Sequence, residues 1–235
     1  MSFPAPASGS PDDGGPAERK RWLLMGLVAL AALSAVIAGV VIVSSGGSGR
    51  PAENPEAPVR TSGESLIVGR PDAPAKVVIF EDFGSAPSRD FEIASRDFLE
   101  VEAAKGDVLV EYRPFHLTEG YSRRALEAWA AVLQHGSAQE AKRFHGLLFD
   151  RQPGTPGPAP SDAELDAWAV EAGADEGVVR AGLERPETAF VESAREAARD
   201  AGVVLPPTVF LDGKRLDLGS GVEVADLLQR WILRD

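Results

Sequence analysis

A chain of 235 residues that contains no cysteine cannot form a disulfide, perform thiol redox chemistry or bind a metal through thiolates. Its length suffices for one domain with appendages. The formal net charge is −12, and the whole acidic excess falls on residues 64–235, because bases and acids are equal in number before Glu64. A domain this acidic is a poor binder of nucleic acid and is repelled by anionic lipid. We therefore expect no nucleic-acid partner.

The first 43 residues divide into a polar tail and an apolar segment. Residues 1–21 are rich in Pro, Gly, Ser and Asp and end in Arg19-Lys20-Arg21, which predicts a disordered tail with a basic flank. Trp22 to Val43 carries no charge, and at about 1.5 Å per residue it would cover roughly 33 Å, enough for a bilayer core. We therefore expect a single transmembrane helix at residues 22–43. The alternative is a cleaved signal peptide, whose apolar region is usually only about 7–15 residues long.

The distribution of basic residues predicts the orientation of this helix. Arg19-Lys20-Arg21 lies directly before it, whereas Arg50 and Arg60 are more distant from its other end. This bias predicts a single-pass protein of the cell membrane, with a cytoplasmic N-terminus and an extracytoplasmic C-terminal domain. Residues 44–63, rich in Gly, Pro and Ser, are expected to form a linker, and residues 64–235 to form the folded domain.

The most informative part of that domain is a predicted strand followed by a turn and a helix. Val77-Val78-Ile79-Phe80 is an apolar, β-branched run, typical of a strand buried on both faces, and Gly84 ends it. From Ser85 onward the apolar residues recur at helical spacing, namely Phe91, Ala94, Phe98 and Val101. Ser85 thus stands at the expected N-cap of a helix, where open N–H groups and a partial positive charge gather.

Three motifs in this chain resemble the DsbA-like branch of the thioredoxin-fold disulfide oxidoreductases. Gly69-Arg70-Pro71-Asp72-Ala73-Pro74 matches the family's Gly-x-Pro-Asp-Ala-Pro leader. Ser85-Ala86-Pro87-Ser88 stands in the Cys-x-x-Cys window at the helix start, with serine in place of both cysteines. The segment from Leu205 to Lys214 is similar to the family's segment of Thr-Pro-Thr, two hydrophobic residues, Asp or Asn, Gly and Lys.

The resemblance implies an α/β, thioredoxin-like fold with a helical subdomain inserted at about residues 117–190. It also implies that Pro207 takes the place of the cis-proline that faces the Cys-x-x-Cys turn, with Pro206 and Thr208 on either side. In thioredoxin-like proteins the residue before the cis-proline pairs its main chain with an extended substrate. Because Pro206 has no N–H to donate, we expect half of that pairing to be lost.

Several positions depart from the family's chemistry. Ser85 and Ser88 are equivalent to the active-site residues, but a hydroxyl neither ionises near neutral pH nor forms a sulfur–sulfur bond. The family commonly places an acid six residues before the first cysteine, a position that Ile79 occupies here. Glu81 and Asp82 lie nearer the strand end, where we expect them to be solvated. Neighbouring strand residues face opposite ways, so these two carboxylates are not expected to form an acid/base pair.

We predict no catalytic residue, no cofactor and no metal site. A serine hydrolase would need a base and an orienting acid beside its nucleophile. A second strand is predicted at Val108–Arg113, after the helix, and such a strand–helix–strand unit implies a parallel pair of strands. His116 follows this second strand and is the histidine that could approach the turn, whereas His135 and His145 lie on helices of the predicted insertion. The three histidines lack ligand spacing, and there is no Gly-x-Ser-x-Gly motif. The simplest interpretation of Ser85 is therefore a helix N-cap.

Together these patterns predict a membrane-anchored, extracytoplasmic thioredoxin-like protein that is redox-inactive at the Cys-x-x-Cys position. The leading hypothesis is a binding or scaffolding module that uses the surface around residues 84–88 and 206–208. Its partner would be an extended peptide or an envelope protein, in addition to the lipid bilayer that Trp22–Val43 would span. The alternative is an enzyme of the protein-disulfide oxidoreductase/isomerase family with residual or altered activity. A purely structural role in an envelope complex is a third hypothesis.

Overall fold

The computed structural model describes residues 56–154, 157–216 and 220–233. The predicted tail, the predicted transmembrane helix and most of the predicted linker lie outside these ranges. Within the described ranges, no helix combines the length and the apolar character needed to cross a bilayer.

Within the described residues, six strands form one mixed sheet: β1 (Val59–Ser62), β2 (Ser65–Val68), β3 (Ala75–Glu81), β4 (Val108–Pro114), β5 (Thr208–Leu211) and β6 (Lys214–Arg215). Their order across the sheet is β1-β2-β4-β3-β5-β6. Strands β3 and β4 run parallel, and the other neighbouring strands are antiparallel. The sheet begins at Val59, before the expected domain boundary at Glu64, so the end of the predicted linker is a strand.

The described helices are α1 (Ala86–Lys105), α2 (Tyr121–His135), α3 (Ala138–Asp150), α4 (Asp162–Ala172), α5 (Val178–Glu184), α6 (Thr188–Asp200) and α7 (Gly221–Ile232). Helix α1 connects β3 to the parallel strand β4, as the strand–helix–strand pattern predicted. Helices α2 to α6 lie between β4 and β5, in and just beyond the interval where the helical insertion was expected.

Different helices bury the two faces of the central strand β3. Val77 and Ile79 point into the main core, where they join Phe91 of α1 and residues of α2, α3 and α7. Phe80 points to the opposite face, into a smaller cluster with Phe115 and two alanines of α6. Because successive strand residues face opposite sides, this arrangement requires apolar residues at consecutive positions. The prediction of a strand buried on both faces is confirmed.

The buried face of α1 differs from the predicted one. Phe91 and Leu99 are buried, but so is Glu92, whereas Val101 is 48% exposed. Glu92 tolerates burial because its carboxylate forms two hydrogen bonds with Arg96, one turn further along the same helix. The apolar repeat alone therefore placed Val101 on the wrong side of the helix.

Candidate functional site

Three chain segments meet at one end of the central strands of the sheet. The parallel strands β3 and β4 both end there, and the antiparallel strand β5 begins there. Residues 82–88 follow β3, residues 115–120 follow β4, and Pro206-Pro207 precedes β5. The sheet therefore gathers segments that are far apart in the sequence.

Ser85 is the N-cap of α1, as its position in the sequence predicted. Its backbone is extended, and its hydroxyl accepts a hydrogen bond from the backbone N–H of Ser88, 3.3 Å away. Ser85 is half-buried, whereas Ser88 is fully buried, and the Oγ atom of Ser88 accepts a hydrogen bond from the backbone N–H of Asp82 at 3.3 Å. Of the two serines, Ser85 is the one that reaches the surface, beside the exposed Ala86 and Pro87.

The turn contacts the segment that contains the two prolines. The peptide bond between Pro206 and Pro207 is cis, and the hydroxyl of Ser85 donates a hydrogen bond to the carbonyl oxygen of Pro206 at 3.3 Å. Thr208 is fully buried and donates its hydroxyl to the carbonyl oxygen of Leu205 at 2.8 Å. The structure thus places Ser85, Ser88 and the cis-proline segment at one corner of the fold.

The main chain of Pro206 is poorly suited to pair with a peptide. Proline has no N–H group, and the carbonyl oxygen of Pro206 already accepts the hydrogen bond from Ser85. Pro206 is also buried, while Pro207 is half-buried. Any ligand at this corner must therefore be recognised mainly through neighbouring side chains.

Asp82 is buried beneath the turn, so the expectation that it is solvated is wrong. Its Oδ1 atom accepts hydrogen bonds from the backbone N–H of Gly84 at 2.7 Å and from the Ser122 hydroxyl at 2.6 Å. Its Oδ2 atom accepts one from the backbone N–H of Leu117 at 2.9 Å. The start of α2 packs so closely here that a Cβ atom on Gly84 would lie 2.8 Å from the Cβ atom of Ser122. Asp82 therefore ties together the segments that follow β3 and β4.

Glu81 is buried as well, again contrary to the prediction. Its Oε1 atom lies 2.5 Å from Nε2 of His145 on α3, and its Oε2 atom has no hydrogen-bond partner among the described residues. Burial disfavours the charged form of His145, but attraction to Glu81 and the hydrogen bond between them outweigh it and raise the pKa of His145. An ion pair between a strand and a helix therefore lies just below the turn.

Gln152, just beyond α3, holds the turn from the other side. Its Nε2 atom donates hydrogen bonds to the carbonyl oxygens of Phe83 at 2.6 Å and of Ser85 at 3.1 Å. Arg89 of α1 also donates to the carbonyl oxygen of Phe149, near the end of α3. The role of Gln152 could not be predicted from the sequence, because no local pattern links residues this far apart. Helix α3 thus forms a second support of the turn.

The histidines do not activate the serines. No described histidine forms a hydrogen bond with Ser85 or Ser88; His145 pairs with Glu81, and His135 is exposed at the end of α2. His116 is buried, with Nδ1 3.3 Å from the carbonyl oxygen of Thr118 and Nε2 unpartnered among the described residues. The described part of the chain also contains no group of His, Asp and Glu suited to a metal ion.

Exposed apolar side chains flank the turn. Leu117, after β4, is 48% exposed, while Val204 and Leu205, before the cis bond, are 69% and 65% exposed. We call Leu117, Val204 and Leu205 the apolar rim. Because β3 lies between β4 and β5 in the sheet, the two parts of the rim lie on opposite sides of the Ser85 turn.

Comparisons with known proteins support this arrangement. A family model described as thioredoxin matches residues 61–229. DsbA from Mycobacterium tuberculosis in its reduced form shares 25% identity at a TM-score of 0.57, over 77% of this chain and 93% of that chain. BdbD from Bacillus subtilis in its oxidised form shares 22% identity at a TM-score of 0.62, over 75% of this chain and 95% of that chain. MdbA, a thiol-disulfide oxidoreductase from Corynebacterium diphtheriae, shares 21% identity at a TM-score of 0.60, over 76% of this chain and 92% of that chain.

A search of curated proteins finds no match. The family match nevertheless spans well over half of the chain, and the structural matches include DsbA from Mycobacterium tuberculosis and BdbD from Bacillus subtilis. The chain therefore belongs to the thioredoxin family and has a DsbA-like fold, with Ser85 and Ser88 where a DsbA-like protein would carry its two cysteines.

Proposed function

We propose that this protein is a membrane-anchored, extracytoplasmic binding module that recognises an extended segment of an envelope protein without redox chemistry. The observation that carries the proposal is the hydrogen bond from Ser85 to Pro206. It gives the Ser85 hydroxyl a structural role at the point where a thiolate would attack a disulfide. The turn at the start of α1 and the cis-proline segment, which would present an extended substrate, are kept. The two reactive sulfur atoms are absent.

The chemistry of the turn argues against thiol–disulfide exchange. That reaction proceeds through a thiolate and a mixed disulfide, and the sequence contains no cysteine to form either. Hydrolysis by Ser85 is also unsupported, because no described histidine or carboxylate forms a hydrogen bond with its hydroxyl. Recognition is the property of the fold that these residues still allow.

Recognition would depend on side chains rather than on added strand pairing. The main chain of Pro206 offers no N–H, but the apolar rim places exposed leucine and valine side chains on both sides of the turn. Burial of such side chains against a partner is favourable, at roughly 25 cal/mol per Å² of apolar surface removed from water. The acidic domain would further favour a partner with basic residues around the docked segment, since complementary charge speeds association.

The membrane part of the proposal is supported by the sequence alone. Trp22–Val43 is long and apolar enough to span a bilayer, and the basic triplet before it favours a cytoplasmic N-terminus. The protein should therefore remain in the membrane pellet after alkaline carbonate washing. Protease added outside the cell should digest the C-terminal domain. Release by carbonate, or protection of that domain, would overturn this part of the proposal.

Site-specific photo-crosslinking tests the recognition part. A photoreactive residue at position 86 of the intact protein, in its native membrane, should form a defined adduct with an envelope protein. Leu205→Asp or Leu117→Asp should reduce the adduct at least several-fold. Val170→Asp, which places the same charge at an exposed valine of α4, should leave it unchanged. Equal loss in all three variants, or no saturable adduct, would contradict the proposed surface.

The alternative function is that of a protein-disulfide oxidoreductase or isomerase with residual or altered activity. It is favoured by the likeness of this fold to proteins named as thiol-disulfide oxidoreductases. Insulin reduction and the refolding of a scrambled disulfide substrate distinguish the two proposals. Turnover by the wild-type protein above the rate of a heat-denatured sample would favour the enzyme.

A further inference from the structure

A small cluster of charged groups is buried behind the Ser85 turn. Glu81 of β3 is 0% exposed and His145 of α3 is 4% exposed, and they form the ion pair described above. Helix α1 contributes Glu92, 4% exposed, and Arg96, which also binds Asp150 at the surface. With His145 protonated, Glu81 and Glu92 each have a cation. Loss of the proton would leave the carboxylate of Glu81 buried without a counter-charge.

Four aromatic rings also lie around His145. Its ring lies 4.9 Å from that of Tyr112 on β4, 5.6 Å from Phe83, 5.1 Å from Phe149 and 6.4 Å from Trp129 on α2. Tyr112 is the titratable member of this group, and burial together with the nearby carboxylates raises its pKa, so it supplies no charge near neutral pH. None of these neighbours could replace the positive charge of His145.

Solvent can reach the cluster without unfolding. A cavity of about 430 Å³ is lined by Glu92, Arg96, Tyr112 and His145, and its lining extends to the exposed Asp150. A proton can therefore leave the imidazole ring to water through this cavity. Glu81 does not line this cavity, so water would reach its carboxylate only after the ion pair opens.

The same helix that carries His145 holds the turn. Phe149 of α3 packs its ring 5.0 Å from that of Phe83, and Gln152 donates hydrogen bonds to the carbonyl oxygens of Phe83 and Ser85. Any displacement of the end of α3 away from β3 must therefore stretch these contacts. The turn and the ion pair are mechanically linked through α3.

We propose that protonation of His145 controls the shape of the Ser85 turn. The protonated ring holds α3 against Glu81. When the proton is lost, the carboxylate of Glu81 has no counter-charge and is repelled by that of Glu92. This repulsion, together with the solvation of Glu81, loosens the end of α3, and the hydrogen bonds of Gln152 weaken. The turn is then well formed at lower pH and loosened at higher pH. The meaning of this change for partner binding rests on the proposed function, but the coupling itself does not.

Nuclear magnetic resonance on the intact protein in detergent micelles tests the coupling directly. With 13C in histidine and 15N in glutamine and serine, the signals of His145, Gln152 and Ser85 are followed between about pH 5 and 10, a range that brackets histidine ionisation. We expect the Gln152 side-chain and Ser85 amide signals to titrate with the midpoint of His145. His135→Gln, a change at an exposed histidine, should preserve this titration, and His145→Gln should abolish it.

Glu81→Gln provides a second variant should His145→Gln fail to fold. It removes the anion that stabilises the imidazolium, so the midpoints of His145 and of the turn signals should move together to lower pH. The inference is overturned if His145 titrates while the Ser85 and Gln152 signals stay constant. It is also overturned if His145 does not titrate, or if the turn signals titrate unchanged in His145→Gln. Because no partner is involved, failure here is distinguishable from failure of the crosslinking experiment.

Discussion

The hydroxyl of Ser85 donates a hydrogen bond to the carbonyl oxygen of Pro206, 121 positions away in the sequence. The Oγ atom of Ser85 also accepts a hydrogen bond from the backbone N–H of Ser88, so this one side chain both caps α1 and ties it to the cis-proline segment. In a disulfide oxidoreductase this position must remain free to react. In this protein the Ser85 hydroxyl both donates and accepts a hydrogen bond within the fold.

Ser85→Ala removes both hydrogen bonds. Loss of an N-cap typically costs about 1 kcal/mol, and loss of a second, partly buried hydrogen bond about another 1 kcal/mol. We therefore expect the free energy of unfolding, measured with urea, to fall by about 2 kcal/mol, and the adduct formed from position 86 to weaken. Ser161→Ala, which removes the N-cap of α4, should destabilise the fold by about 1 kcal/mol without changing the adduct. Equal effects of the two variants on the adduct would contradict a special role for Ser85.

Asp82→Asn should be among the more damaging single changes near the site. An amide has one acceptor oxygen and no charge, so it cannot accept all the bonds from Gly84, Leu117 and Ser122, and its NH2 group would face a donor. We expect a loss of about 2–4 kcal/mol in the free energy of unfolding. Asp226→Asn on the exposed surface of α7 should cost less than about 0.5 kcal/mol. A small effect at Asp82 would mean that water replaces its partners readily.

Gln152→Ala removes the two hydrogen bonds that hold the turn from the α3 side. Each net bond contributes about 1 kcal/mol, so we expect a loss of about 1–2 kcal/mol. Faster hydrogen exchange should appear at residues 83–85 and be confined to the turn. Gln134→Ala, at an exposed position near the end of α2, is the matched control and should change neither quantity. Unchanged exchange in Gln152→Ala would show that the turn is held without this side chain.

The ion pair of Glu81 and His145 predicts a pH dependence of stability. A group whose pKa is higher in the folded than in the unfolded protein stabilises the fold while it is protonated. The contribution of His145 is therefore fully present below the ordinary histidine pKa of about 6.5 and is lost as the pH rises through its raised pKa. The melting temperature of the wild type should fall over that window, and that of His145→Gln should change less. An opposite slope would contradict a charged pair.

Local sequence patterns were sufficient to predict the frame of the site. The apolar run at Val77–Phe80 and the N-cap at Ser85 are each determined within a few residues, and the structure has both of them. The Pro206-Pro207 segment could be placed by its likeness to a family segment. These features depend on backbone preferences that act over short distances.

The charged interior could not be predicted in this way. Glu81 and Asp82 were expected to be solvated because acids at a strand end usually are, yet His145 and Ser122 cover them from helices 64 and 40 residues away. Whether an acid is buried depends on a partner that only the tertiary fold supplies. The role of Gln152 could not be predicted for the same reason, because its partners Phe83 and Ser85 are brought to it only by the tertiary fold.

The most direct test of the central claim compares the wild-type protein with a Ser85→Cys, Ser88→Cys double variant in one insulin-reduction assay. If oxygen has replaced sulfur in an otherwise intact frame, the wild type shows no turnover above background. The double variant forms an internal disulfide, seen as the loss of two hydrogen atoms by mass spectrometry, and gains measurable turnover. Turnover by the wild type, or two introduced thiols that cannot be joined, would contradict the account.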